Sequence, residues 1–92
     1  MKTIWKFPFL ISRMAQEIVM PADAKILTAQ IQGKTPCLWA EVESSNTLME
    51  SRYILVYGTG NEILEKQYVE MIYIATIQVF DEVYHVYEMR YI

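Results

Sequence analysis

The stretch Ile26–Glu43, ILTAQIQGKTPCLWAEVE, decides the fold class. Ile26, Thr28 and Gln30 alternate with Leu27, Ala29 and Ile31, while Leu38, Ala40 and Val42 alternate with Trp39, Glu41 and Glu43. A period of two belongs to a half-buried β-strand, because successive Cβ atoms point to opposite faces; a helix repeats its apolar positions every three or four residues. Gly33-Lys34-Thr35-Pro36 between the two runs is a turn, and Pro36 has no N–H to give a ladder. The stretch is a β-hairpin. Trp39 shares the acidic face of its second strand, at a sheet surface or an interface.

The same period continues outward. Arg52–Tyr57 sets Tyr53, Leu55 and Tyr57 against Ile54 and Val56, and Gly58-Thr59-Gly60-Asn61 ends it. Tyr68–Phe80 is a long strand with a bend near Ala75. After a turn at Asp81-Glu82, Val83–Tyr91 returns with Val83, His85, Tyr87, Met89 and Tyr91 on one face and Tyr84, Val86, Glu88 and Arg90 on the other. Towards the start, Thr3–Phe7 is a strand ended by Pro8, and Glu17–Met20 is one closed by Pro21-Ala22-Asp23. Ser44–Thr47 is a polar break, followed by Leu48-Met49-Glu50 as a loop or one helical turn. Asn61–Gln67, NEILEKQ, is the one segment with good helix propensity, yet it is shorter than an independently stable helix. The chain therefore predicts a single all-β domain over residues 1–92. It has about seven strands in a small antiparallel sandwich or partly open barrel, with at most one short helical turn.

Composition narrows function by exclusion. With 53% hydrophobic and 21% charged residues the 92-residue chain is globular, and a chain of this size buries only about 60–65% of its unfolded surface. One Cys and one His are too few for a disulfide framework or a structural zinc site, and no cofactor or metal is expected. Eight basic against 11 acidic residues give a net charge of −3, which disfavours nonspecific nucleic-acid binding. No apolar run approaches the roughly 20 residues of a membrane span. The first residues lack a signal-peptide pattern, and a single Cys37 suits a reducing compartment. The expected location is the cytoplasm.

The candidate chemistry is sparse. Cys37 and His85 are the only thiol and imidazole; a nucleophilic dyad requires them within hydrogen-bond reach, whereas both lie inside predicted strands. Gly58-Thr59-Gly60 offers either a backbone N–H nest for an anion or a plain turn. It is neither a Walker loop nor a dinucleotide fingerprint, since Ile63 stands where the third glycine belongs. Glu41/Glu43 and Asp81/Glu82 are carboxylate pairs, read more simply as solvated surface. Seven tyrosines are the unusual feature. Tyr combines a rigid face with a polar tip and is enriched at interfaces, so Tyr68, Tyr73, Tyr84, Tyr87 and Tyr91 on the final hairpin are the expected interface for self-association or a partner. Trp39, Tyr53 and Tyr57 with Gly58, Thr59 and Gly60 are the expected ligand site.

Several stretches occur together in one order: Met1-Lys2-Thr3-Ile4-Trp5-Lys6, Met20-Pro21, Ala24-Lys25-Ile26-Leu27, Cys37-Leu38-Trp39-Ala40, Tyr57-Gly58-Thr59-Gly60 and His85-Val86. In these the chain resembles a domain-of-unknown-function family of short tailed-phage and prophage proteins, over most of its length. It departs from that family's pattern at Asn61, where the family has His, and in continuing through Glu88-Met89-Arg90-Tyr91-Ile92, which suggests an extra edge. The resemblance implies a phage or prophage origin and supplies no reaction.

The functional expectation is a non-enzymatic counter-defence protein in the host cytoplasm. Either a homo-oligomer sequesters a nucleotide-derived immune signal, with the Gly58–Gly60 loop on phosphate and Trp39, Tyr53 or Tyr57 stacked on a base, or an acidic, aromatic face binds a host defence protein as an anti-CRISPR inhibitor would. Lys25, Lys34, Arg52 and Lys66 are the cations available to a phosphate near the centre of the chain. Alternatives from other classes are a small hydrolase or nuclease using His85 with Cys37 or a carboxylate, and a minor virion or assembly component.

Overall fold

The computed structural model describes all residues, Met1–Ile92. Seven strands follow in chain order: β1 Lys2–Pro8, β2 Gln16–Pro21, β3 Lys25–Gln32, β4 Thr35–Glu43, β5 Met49–Gly58, β6 Val69–Val79 and β7 Glu82–Tyr91. They form two antiparallel sheets, one in the order β1-β4-β3 and the other β2-β5-β7-β6. Neither closes into a barrel. The Cα envelope, 41 × 36 × 16 Å, is that of two sheets stacked about 10 Å apart, so the all-β sandwich expectation holds.

The alternation sorts residues as the pattern requires. Leu38, Ala40 and Val42 from β4, Ile54 and Val56 from β5 and Val86 from β7 are buried in the core with Met20, Ala29 and Ile77. In β3 the register shifts between Ile26 and Thr28. This bulge turns Ile26 inward alongside Ala29 and Ile31 and leaves Leu27 40% exposed, which corrects the simple alternation. A second irregularity between Tyr73 and Ala75 is the expected bend in β6. Met49 and Glu50 begin β5, not a loop or helical turn.

Asn61–Gln67 forms no helix, and topology explains why. β5 and β6 both run antiparallel to β7, which lies between them. They are therefore parallel to each other, and ten residues must return along the sheet. Val69 lies level with Tyr91, two residues beyond Met89, the partner of Tyr53. The span from Gly58 is then about 25 Å. Ten extended residues reach about 33 Å, whereas seven of them in a helix would cut the reach to little over 20 Å. The segment runs instead as an extended strap.

The core holds one ionic group. Arg52 and Glu88 are 8% and 3% exposed, on inward positions of neighbouring strands β5 and β7. Arg52 grips Glu88 through both Nε and Nη2, the latter at 3.0 Å, and its Nη1 donates to the Ala24 carbonyl at 2.7 Å and to Glu50 at 3.2 Å. Arg90 adds a further bond to Glu88 at 3.1 Å. No buried side-chain polar atom is left without a partner. No helix is long and apolar enough to cross a membrane.

Candidate functional site

The outer face of the β2-β5-β7-β6 sheet collects the side chains that alternate away from the core. Leu55 pairs with Tyr87 and Tyr87 with Tyr73; Tyr53 pairs with Met89 and Met89 with Met71. The Tyr57–Tyr87 and Tyr73–Tyr87 rings meet edge to face at 5.9 and 5.6 Å, the favoured geometry for aromatic quadrupoles. The result is an apolar floor of tyrosine and thioether groups across three strands.

The strap runs over this floor and with it borders a half-open cavity of about 530 Å³, lined from below by Leu55, Tyr57, Met71 and Met89 and from the strap by Leu64 and Lys66. Arg13 and Ala15 wall the side, because β2 starts only at Gln16, opposite Ile54, and leaves the end of β5 beside the β1–β2 linker. Arg13 and Lys66 have no carboxylate within ion-pair distance. One carboxylate, Glu62, also lines the cavity. A site of this size with a largely apolar lining and few polar groups suits a small organic ligand. Its two free cations suit an anionic group on that ligand.

The Gly58–Asn61 turn anchors one end of the strap. Gly58 N–H donates to Asn61 Oδ1 at 3.0 Å, Thr59 N–H to the Val83 carbonyl at 3.2 Å and Asn61 N–H to the Gly58 carbonyl at 3.0 Å. With these donors engaged within the protein, the turn does not present the N–H nest that an anion would need. Gly58 is required by close approach: a Cβ there would sit 2.9 Å from Asn61 Oδ1. Gly60 has φ +89°, a region that L side chains rarely adopt. Gly60→Ala should therefore cost about 1 kcal/mol and lower the melting temperature by about 4–8 °C in calorimetry.

His85 ties the strap to the sheet. Its Nε2 lies 2.8 Å from Thr59 Oγ1 and its Nδ1 3.0 Å from Thr76 Oγ1, which in turn lies 2.7 Å from the Tyr73 hydroxyl. A neutral imidazole donates at one nitrogen and accepts at the other, and rotatable hydroxyls satisfy either arrangement. Cys37 lies in the other sheet, on the Trp39 side of β4. It is 1% exposed, and its Sγ lies 3.5 Å from the Thr35 carbonyl. His85 faces out from the opposite sheet, so the sandwich separates the two and no dyad forms. No group of three His, Cys, Asp or Glu side chains is arranged to hold a metal.

The residues singled out from sequence divide between surfaces. Tyr57 lines the cavity and Gly58, Thr59 and Gly60 hold its strap. Tyr53 sits at the β2 side with its hydroxyl 3.5 Å from Glu17. Trp39 belongs to the far face of the other sheet, opposite Lys6 and Thr28, and does not join them. Of the hairpin tyrosines, Tyr73, Tyr87 and Tyr91 share the outer face, and Tyr68, 68% exposed, closes the strap. Tyr84 turns inward against the core. Arg13, Leu55, Leu64, Met71 and Met89 were not anticipated as lining. The alternation puts Leu55, Tyr57 and Met89 on outward faces, but only the path of the strap makes them a cavity.

Over residues 1–91 the chain matches the family described as domain of unknown function DUF7352, and it belongs to that family. No curated protein and no solved structure gives a significant match. Because the match runs to residue 91, the segment Glu88–Tyr91 is part of the family's domain and not an added edge; it completes β7, with Glu88 and Met89 paired to both β5 and β6 and Arg90 and Tyr91 to β6 alone.

Proposed function

We propose that this member of the DUF7352 family is a non-enzymatic binding protein that captures a small anionic ring compound, the nucleotide-derived signal of a bacterial defence system. In this reading it is a phage or prophage product acting in the host cytoplasm. The observation that carries the reading is the strap-covered cavity. Tyr57, Met71 and Met89 offer a surface for a flat base, and the unpaired Arg13 and Lys66 take the phosphate role first expected of the Gly58–Gly60 turn. Base–aromatic stacking is worth about 1–3 kcal/mol, and charge-assisted hydrogen bonds add specificity for the anion.

The test is a thermal-shift screen against cyclic di- and trinucleotides and adenosine diphosphate ribose derivatives. A ligand at ~100 times its dissociation constant should add about 2.7 kcal/mol to stability. Arg13→Ala and Lys66→Ala should each weaken the response about tenfold, a loss of about 1.4 kcal/mol, with unchanged circular dichroism. No shift with any of these compounds overturns the reading. The second reading, an anti-CRISPR-like inhibitor docked on a host defence protein, draws on the outward tyrosines, with Tyr73 and Tyr91 exposed at 55% and 74%. Retention of a host protein on the wild-type chain, lost in Tyr73→Ser with Tyr91→Ser, would select it instead.

A further inference from the structure

We propose that the end of the sandwich carrying Phe80 is a surface for pairing with a second copy of this chain. Val79 pairs with Glu82, so Phe80 and Asp81 form a two-residue hairpin loop. Phe80 has φ +54° in the first of the two central positions, where a loop with a single positive φ ordinarily takes glycine. It is also 86% exposed, more than any other large apolar side chain in the chain. Folding alone gains from neither property, since glycine or asparagine would close the hairpin with less strain and leave less apolar surface in water. A bulky side chain held in an unfavourable conformation and pointed outward is explained by something that receives it.

A receiving surface lies beside it. A groove of about 530 Å³ separates the β1–β2 linker from the start of β7 and is lined by Ile11, Arg13, Gly58, Glu82, Val83 and Tyr84, among others. The patch carries both signs of charge: Arg13 is unpaired, Asp81 is exposed at the hairpin tip, and Glu82 accepts the Tyr84 hydroxyl. Knob, groove, free cation and free acid on one surface make it self-complementary. That is the condition for a two-fold interface, in which every contact occurs twice. Phe80 of each copy then enters the groove of the other, and Asp81 of each meets Arg13 of the other.

Arg13 also borders the ligand cavity. A guanidinium has five donors, enough for an anion on one side and Asp81 on the other. Leu10 and Met14 on the same linker are 71% and 76% exposed. With Phe80 they offer on the order of 500 Å² of apolar surface per copy, against about 800 Å² in a standard interface. The expected complex is a reversible dimer of modest affinity.

Sedimentation of the full chain over a concentration series tests this. The wild type should show a concentration-dependent monomer–dimer equilibrium. Phe80→Gly, which relieves the strained φ, should weaken the dimer at least about tenfold without lowering the melting temperature of the dilute monomer. Asp81→Lys should weaken it in the same direction. A chain that stays monomeric at every concentration overturns the proposal, as does a dimer that both substitutions leave intact. A ligand-induced thermal shift retained by monomeric Phe80→Gly would leave the proposed binding function standing whichever way sedimentation falls.

Discussion

Glu88→Ala should destabilise the fold by roughly 3–5 kcal/mol, the cost of leaving a buried guanidinium without its carboxylate. Total stability for a domain of this length is on the order of 5–10 kcal/mol, so urea denaturation should show the variant near or past the edge of folding. Arg52→Met alone should be equally damaging, because it strands Glu88. The double substitution Arg52→Met with Glu88→Leu should recover most of the loss, since two apolar groups need no partner. If the double variant is as unstable as the sum of the singles, the pair is not acting as a unit.

The same pair makes stability depend on pH, with a definite sign. Burial pushes the Glu88 carboxyl up, but the hydrogen bonds and charge of Arg52, followed by those of Arg90, outweigh burial and hold it below its ordinary value of 4.5. A carboxyl whose folded value is depressed binds its proton more readily when unfolded. Its contribution is therefore complete above the ordinary glutamate range and is lost as pH falls through the depressed folded value. The urea midpoint should decline on acidification below about pH 4.5, and that dependence should flatten in the double variant.

The second large effect is expected at Ile54. It is fully buried in β5, flanked by β2 and β7 at the centre of its sheet. Ile54→Ala should cost about 2–5 kcal/mol from lost transfer energy and the cavity left behind. Only 15 of the 92 residues are buried, so few neighbours can close in to compensate. Ile54→Val, read by the same denaturation curves, should cost only about 0.5–1.5 kcal/mol. Equal losses for the two substitutions would mean that this position does not anchor the core.

The strand pattern was legible because a half-buried sheet writes its two faces into alternate residues. Leu38, Ala40 and Val42, or Ile54 and Val56, could be grouped on one face of their strands without knowing their neighbours. The same alternation puts Arg52 on the face of Ile54 and Glu88 on the face of Val86, and the structure makes both faces inward. Their pairing was not legible, since it depends on β5 lying beside β7 with Ile54 opposite Glu88, and period two leaves strand order open. Asn61–Gln67 leaves its helix propensity unused for a related reason: local propensity yields to a span that only an extended chain can cover. Tyr57, which lines the cavity, was singled out through its aromatic character and its place before the glycines. Arg13 was not, because nothing local in Ser12-Arg13-Met14 shows that the linker folds against the end of β5.

The order of strands has a consequence for how the molecule comes into being. β1 finds its partner only in β4, and β2 only in β5, so during synthesis β1 waits unpaired until Glu43 is made and β2 until Gly58, past the middle of the chain. Membership of the sheets interleaves along the sequence: the β1-β4-β3 sheet has all its strands by Glu43, while β2, lying between β1 and β3 in the chain, still lacks its partner. Pairings this distant in sequence must meet the entropy of loop closure before any contact rewards it, which places acquisition of the native state in the millisecond-to-second range of sandwiches and not the microseconds of local folds. The nascent chain is correspondingly exposed to aggregation until Met49–Gly58 arrives.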